Sequence, residues 1–173
     1  VTSNRPGYWG RSRQGFSLVE ILVVVAVVAV ATTIAVVSVR GVGIERILER
    51  EAHRFANFTR LVCDRAVASG REHGIHVADN RYGASRVRRG DWALERDGAL
   101  APHDVAEGVG LRLSRDGVDQ ELGLTLDGDP ALVCLPGGEL TPFELVLVAP
   151  GSGSEERVRA RFDGRVERVS PQQ

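Results

Sequence analysis

The chain has 173 residues, 43% of them hydrophobic, a formal net charge of −1 at pH 7, and 22 basic residues that are all arginine. That length allows one ordinary domain with an appended element, not several domains. Residues 1–70 carry nine arginines against five acids and residues 71–173 carry thirteen against eighteen, so the acidic distal part argues against a dedicated nucleic-acid binder.

The first fifteen residues, VTSNRPGYWGRSRQG, hold Arg5, Arg11 and Arg13 and no acid. From Ile21 to Val39 no residue is charged, and only Thr32, Thr33 and Ser38 are polar. As a helix this run reaches about 28 Å, close to the roughly 30 Å of a hydrocarbon core. The pattern predicts a transmembrane segment over 16–40, single-pass, with the arginine-bearing end in the cytoplasm and the remainder on the far side. A removable secretory signal would be cut after the apolar run, whereas the small residue that stands out, Gly15, precedes it. A plain anchor leaves Glu20 unexplained, because a carboxylate among lipid tails needs a partner, a proton or a route to the interface. Snorkelling to the interface is the simple reading. A cut between Gly15 and Phe16 is the sharper one: it creates an α-amine one helical turn from Glu20, able to pair with it or with that of an adjacent subunit. An unmatched charge in apolar surroundings would then penalise a wrong axial register.

Beyond this run, Ile44, Leu48, Phe55, Phe58, Val62 and Ala66 fall near one face at 3.6-residue spacing, which predicts an amphipathic helix over 41–70. Gly41 and Gly43 predict a kink or a local loss of helix. From residue 75 the period moves towards two, and IHVAD, DWALERD, VGLRLS, ALVCL, FELVLVA, RVRARF and RVERV are the strand candidates of a β-rich head over 71–173. In FELVLVA, Phe143, Leu145, Leu147 and Ala149 share a face, as expected of a buried central strand. RVRARF-DG-RVERV reads as a hairpin with a two-residue type I′ turn at Asp163-Gly164 and with Val158, Ala160 and Phe162 inward. Segments around 114–131 and 150–156 are Gly-, Asp- and Ser-rich and read as loops.

Several residues invite a chemical reading. Cys63 and Cys134 are the only cysteines, and two arrangements stand open: a helix-to-sheet disulfide, or two separate buried thiols. His73 and His76 could touch one metal only on a helix, and the glycines around them end one, so they read as structural or surface histidines. The serines of PGSGSEE have no linked histidine or acid, and the glycines at 137–138 and 151–153 lack a phosphate-binding lysine. Arg157, Arg159 and Arg161 alternate with Val158 and Ala160 and are expected on one solvent face, with Arg165 and Arg168 following. That face is a solvated sheet surface or a groove for a phosphate backbone.

The stretch G-FSLVEILVVVAVVAV resembles the class III signal of type IV pilins and type II secretion pseudopilins, glycine followed by F-[ST]-L-x-E. The resemblance makes Gly15 the cleavage glycine, Phe16 the methylated first residue and Glu20 the assembly glutamate, with a membrane prepilin peptidase as the processing partner. Further on, Arg65, Ala66 and Gly70, then Gly108, Val109 and Leu111, then Gly138, Glu139, Thr141, Pro142 and Phe143 resemble the head motifs of GspH-type minor pseudopilins. This implies a type IV pilin-like α+β fold. Residues 1–15 would be a leader. A long N-terminal helix, transmembrane over 16–40 and amphipathic over 41–70, would pack on a small antiparallel β-sandwich-like periplasmic head. It also implies a structural subunit near the tip of a periplasmic pseudopilus, anchored in the bacterial inner membrane, with no turnover, cofactor or metal. The implied partners are other minor pseudopilins, the major pseudopilin, the inner-membrane secretion platform, and the outer-membrane secretin or exoproteins. A second reading is a FimT-like minor pilin of a type IV pilus or competence system, whose C-terminal arginines would meet DNA. A third, a membrane-anchored periplasmic enzyme, requires a convergent polar cleft for which the sequence offers no residues.

Overall fold

The computed structural model describes residues 18–169; Gly15 and Phe16 lie outside them. The chain divides into two units between Arg40 and Gly41, and every described strand lies in the second. Helix α1 runs Leu18–Ser69, and helical conformation continues through Gly41 and Gly43, so of the kink or local loss of helix expected there the loss does not occur. Its end is fixed by Gly70 at φ +62. The Gly70 and Arg71 amides donate back to Val67 O and Ala66 O, both at 3.3 Å, the paired bonds of a Schellman motif, which a residue with a Cβ adopts only under strain.

Among the described residues no helix is long and apolar enough to cross a membrane. This overturns the transmembrane segment expected over 16–40, the division of the helix into transmembrane and amphipathic halves, and the single-pass inner-membrane placement drawn from them. The described helix is a single element that carries Glu20, Arg40 and repeated charged residues from Glu45 onward, and ionised side chains are costly in a hydrocarbon core.

The strands are β1 (His73–Ala78), β2 (Arg81–Arg88), β3 (Asp91–Leu94), β4 (His103–Asp104), β5 (Gly110–Arg115), β6 (Val118–Gln120), β7 (Leu132–Cys134), β8 (Phe143–Val148), β9 (Glu155–Ala160) and β10 (Val166–Val169). They form two antiparallel sheets: β3-β2-β1-β7 with β4 added to β2, and β10-β9-β8-β5-β6. One core joins both sheets to the distal part of α1. Leu48, Ala52, Phe55, Val62 and Ala66 of the helix are at most 1% exposed, as are Ile75, Tyr82 and Ala84 of the first sheet and Leu145, Leu147 and Val158 of the second. Phe55 meets Tyr82 edge-on at 4.9 Å and Phe143 edge-on at 5.9 Å, so one helical side chain contacts both sheets. Burying so much apolar surface is the main term that holds the head together.

Strand β2 was not foreseen in RYGASRVR. Its arginines dilute the apolar signal, and Gly83 reads as a breaker. The glycine has a packing cause instead. A Cβ at Gly83 would sit 3.1 Å from Leu126 Cδ1, and one at Gly74, on the same face of β1, would sit 2.5 Å from Pro130 Cβ. The two glycines are the seats on which the 121–131 loop rests.

The β9–β10 turn also departs from expectation. Asp163 is not at positive φ, Gly164 is at +78, and the Gly164 amide donates to Arg161 O at 3.1 Å. A type I′ turn needs positive φ at both central residues, so this is the three-residue loop closed by a glycine bulge. Two-residue loops of the I′ kind occur at Arg89-Gly90 and Asp116-Gly117, where both residues have positive φ. The longer loop takes Phe162 out of the strand, which is why it is 62% exposed when alternation had placed it inward.

Cys63 of α1 and Cys134 of β7 are joined by a disulfide across 71 residues of chain. Closing a loop of that length in the unfolded chain is worth about 4 kcal/mol on the chain-entropy model. Replacing both cysteines with serine is therefore expected to lower the denaturation midpoint by several kcal/mol of equivalent stability, measured by denaturant unfolding. Adding reductant to the unmodified chain is expected to reproduce the loss.

Candidate functional site

Glu20 stands in the first turn of α1 and is exposed.

The five arginines of the C-terminal hairpin do not form one cationic face. Arg157 and Arg159 point outward from β9, while Arg161 lies in the turn. Across the outer face of the second sheet, strand register places Arg112, Val146 and Arg157 in one row and Ser114, Glu144, Arg159 and Glu167 in the next. Arg159 reaches Glu144 Oε2 with Nη2 at 2.6 Å and Nε at 3.1 Å. Arg157 pairs with Glu155, whose other oxygen lies 3.4 Å from Arg112. Arg165 pairs with Asp163 at 3.4 Å, and Arg168 with Glu49 of α1 at 3.5 Å. Such exposed pairs add little stability. Their consequence is electrostatic, because each cation that would attract a phosphate already has a carboxylate beside it, Arg161 alone excepted among the five.

Behind Arg168 lies a residue that sequence reasoning missed. Glu156 is half-buried, and its Oε2 is enclosed without a hydrogen-bond donor. Burial pushes its carboxyl above the usual 4.5; Glu49 adds to the rise, and Arg168 and His53 oppose it without prevailing. Alternation along EERVRA could have flagged it, since Glu156, one residue before RVRARF, shares the inward parity of Val158 and Ala160.

The two histidines that could have shared a metal lie on opposite faces of β1. His73 Nδ1 is bonded to Arg71 O at 3.1 Å, and His76 Nε2 to Ser85 Oγ at 2.8 Å. Burial under the 121–131 loop lowers the pKa of His76, against the pull of Asp129 and Asp127. Among the described residues no three His, Cys, Asp or Glu side chains are arranged to hold a metal ion. Ser152 serves its own turn, donating to Ala149 O at 2.9 Å and accepting from the Ser154 amide at 3.1 Å.

The head motif at 138–143 is a junction between the sheets. Thr141 Oγ1 accepts from the Val133 amide at 3.1 Å, and the Thr141 amide donates to Val133 O at 3.0 Å. The Leu140 amide donates to Phe162 O at 3.1 Å, fastening the β9–β10 turn. A Cβ on Gly164 would come within 2.5 Å of Gly138 O. Phe143 then enters the core against Phe55.

Comparison with known proteins bears on both ends of this arrangement. Residues 10–36, which include Gly15, Phe16 and Glu20, match the family model described as the prokaryotic N-terminal methylation motif. Type II secretion system protein H of Pseudomonas aeruginosa PAO1 is 30% identical over 159 residues, covering 82% of this chain and 86% of that protein. The chain belongs to the type II secretion system protein H family. The Escherichia coli K12 member is 28% identical over 148 residues, covering 82% and 84%. In structure the chain is similar to the minor pseudopilin EpsH of the Vibrio cholerae type 2 secretion system, with a TM-score of 0.63 and 20% identity over 73% of this chain and 98% of that one. Family H proteins are structural subunits of the pseudopilus and are not enzymes.

Glu156 supplies a test of the electrostatics. Because the folded state raises its carboxyl pKa, the group contributes stability below its unfolded value, and that contribution is lost as pH rises through the folded value. Glu156→Gln is expected to raise the melting temperature at pH 7–8. The gain should shrink as pH falls towards 4, read by thermal melts of both proteins across that range.

Proposed function

We infer that this chain is a minor pseudopilin, a subunit of the type II secretion pseudopilus that aids protein secretion by occupying a place in the filament. The observation that carries the reading is the extent of the likeness to protein H of Pseudomonas aeruginosa, which takes in most of both chains. Residues 1–15 are the leader, removed between Gly15 and Phe16 by a prepilin peptidase that also methylates the new amine; the methylation-motif match over 10–36 supports this. Glu20, one turn beyond the cut, pairs with an N-terminal amine and rewards correct register during incorporation. Its partners are the other minor pseudopilins, the major pseudopilin, the secretion platform, and the secretin or the exported proteins. The FimT-like alternative loses its main attraction, since four of the five hairpin arginines are paired with carboxylates of this same chain.

The two roles at the N-terminus separate by substitution. Gly15→Leu is expected to block processing, because the peptidase must fit the backbone beside the scissile bond. Glu20→Ala is expected to leave cleavage intact and to reduce incorporation into pseudopili. Intact-mass measurement reads the first, and quantification of the chain in sheared pseudopili reads the second. A wild-type chain that keeps its first fifteen residues in secreting cells would refute the processing scheme.

A further inference from the structure

The flank of α1 away from the second sheet borders a groove whose other wall is the segment 94–103. Two clefts, one at Arg54, Phe58 and Tyr82 and one at Arg65, His73 and Arg86, meet at Leu61, Gly98 and Ala99. Arg50, Arg54, Leu61 and Arg65 follow one another along a single stripe of the helix, and Arg71 continues the line past its end. The groove thus combines an apolar middle, with Leu61 38% exposed, and a basic wall.

The charges along that wall are uncompensated, unlike those of the second sheet. Glu95 is taken by Arg86 at 2.9 Å and Glu51 by His103 at 3.0 Å, which leaves exposed Asp97 as the one unpaired carboxylate lining the clefts. Arg54 rests on the His103 ring at 3.1 Å. Arg50, whose Nε donates to Arg46 O at 3.3 Å, makes no ion pair among the described residues, nor do Arg65 and Arg71. Three arginines without an ion pair among the described residues, set around a leucine, form a local positive field.

We propose that this groove docks an acidic segment bearing aliphatic side chains, presented by another protein. Carboxylates of the segment face Arg50, Arg65 and Arg71, and an aliphatic residue rests on Leu61 and Ala99. Charge complementarity selects an acidic occupant, and the aliphatic patch between the arginines selects a peptide over a small oxyanion or a phosphate chain. The contact adds a recognition surface to the pseudopilin reading without depending on it, since leader processing involves a different part of the chain.

The probe is a fluorescein-labelled peptide, DGVDQELGLTLDGD, which copies the acid-rich, base-free stretch 116–129 of this chain. Fluorescence anisotropy with the full chain is expected to show saturable binding that weakens with salt. Arg65→Glu with Arg71→Glu should weaken it at least about tenfold, and Leu61→Ser should weaken it severalfold, with melting temperatures unchanged. No saturable binding, or equal binding by the double variant, would overturn the proposal. Displacement by millimolar inorganic phosphate would reassign the groove to a small anion, and tighter binding of a single-stranded oligonucleotide would reassign it to nucleic acid. Self-association in sedimentation velocity that the double variant abolishes would make the occupant a second copy. Each of these outcomes refutes the proposal while leaving the intact-mass result, and the assignment it supports, unaffected.

Discussion

Phe55 is the side chain on which the head turns. It is fully buried and meets Tyr82 of the first sheet and Phe143 of the second, both edge-on. A large ring placed between two sheets by a helix removes more apolar surface from water than either sheet could remove alone. The two sheets are separate hydrogen-bonded ladders, linked by backbone bonds around Thr141 and Leu140 and by the Leu111 amide, which donates to Asp79 O at 2.8 Å. Helix, first sheet and second sheet therefore stand or fall together, and the disulfide from Cys63 to Cys134 crosses the same helix–sheet contact a few turns further along.

Most of that contact could be read from the residues. The stripe Leu48, Phe55, Phe58, Val62 and Ala66 is buried in the order a 3.6-residue period gives, and the alternation of Phe143, Leu145 and Leu147 is that of a central strand. Periodicity works there because burial on one face is its direct physical cause. It fails where another constraint decides. At Asp163-Gly164 the dipeptide suits a type I′ turn, but the Leu140 amide holds Phe162 O and Gly164 lies against Gly138, so a non-local contact lengthens the loop by one residue. At Gly74 and Gly83 the glycines serve a covering loop, information that resides in Leu126 and Pro130 some fifty residues away.

Charge was legible in kind and not in pairing. Sequence gives the alternation of arginine with small apolar residues along β9, but a strand's neighbours decide whether those arginines are free. Glu144 faces Arg159 only because β8 and β9 pair in this register, Glu155 reaches Arg157 from two residues earlier on the same strand, and Glu49 reaches Arg168 from the helix. The same limit hid Glu156, whose inward parity is visible in the chain while the absence of a donor beside its Oε2 is not. At the N-terminus the position was reversed. The processing residues that the spacing points to, Gly15 and Phe16, lie outside the described residues, and the transmembrane reading built on their apolar neighbours was not upheld.

Set side by side, the two arginine-bearing surfaces suggest a division of labour within one head. On the second sheet each outward cation has an acid at hydrogen-bonding distance, so the face presents little net field and exerts little pull on any charged partner. Along α1 the cations flank an exposed leucine and lack such acids, so a partner that supplies carboxylates gains Coulomb energy without first displacing an internal pair. A subunit packed among relatives in a filament needs both kinds of surface. A neutralised face tolerates neighbours without selecting among them, whereas a face with unspent charge and a hydrophobic centre discriminates, because the wrong neighbour leaves desolvated arginines unpaired. Selectivity in this head should therefore reside along the helix flank, while the C-terminal hairpin, despite holding more arginines, contributes shape.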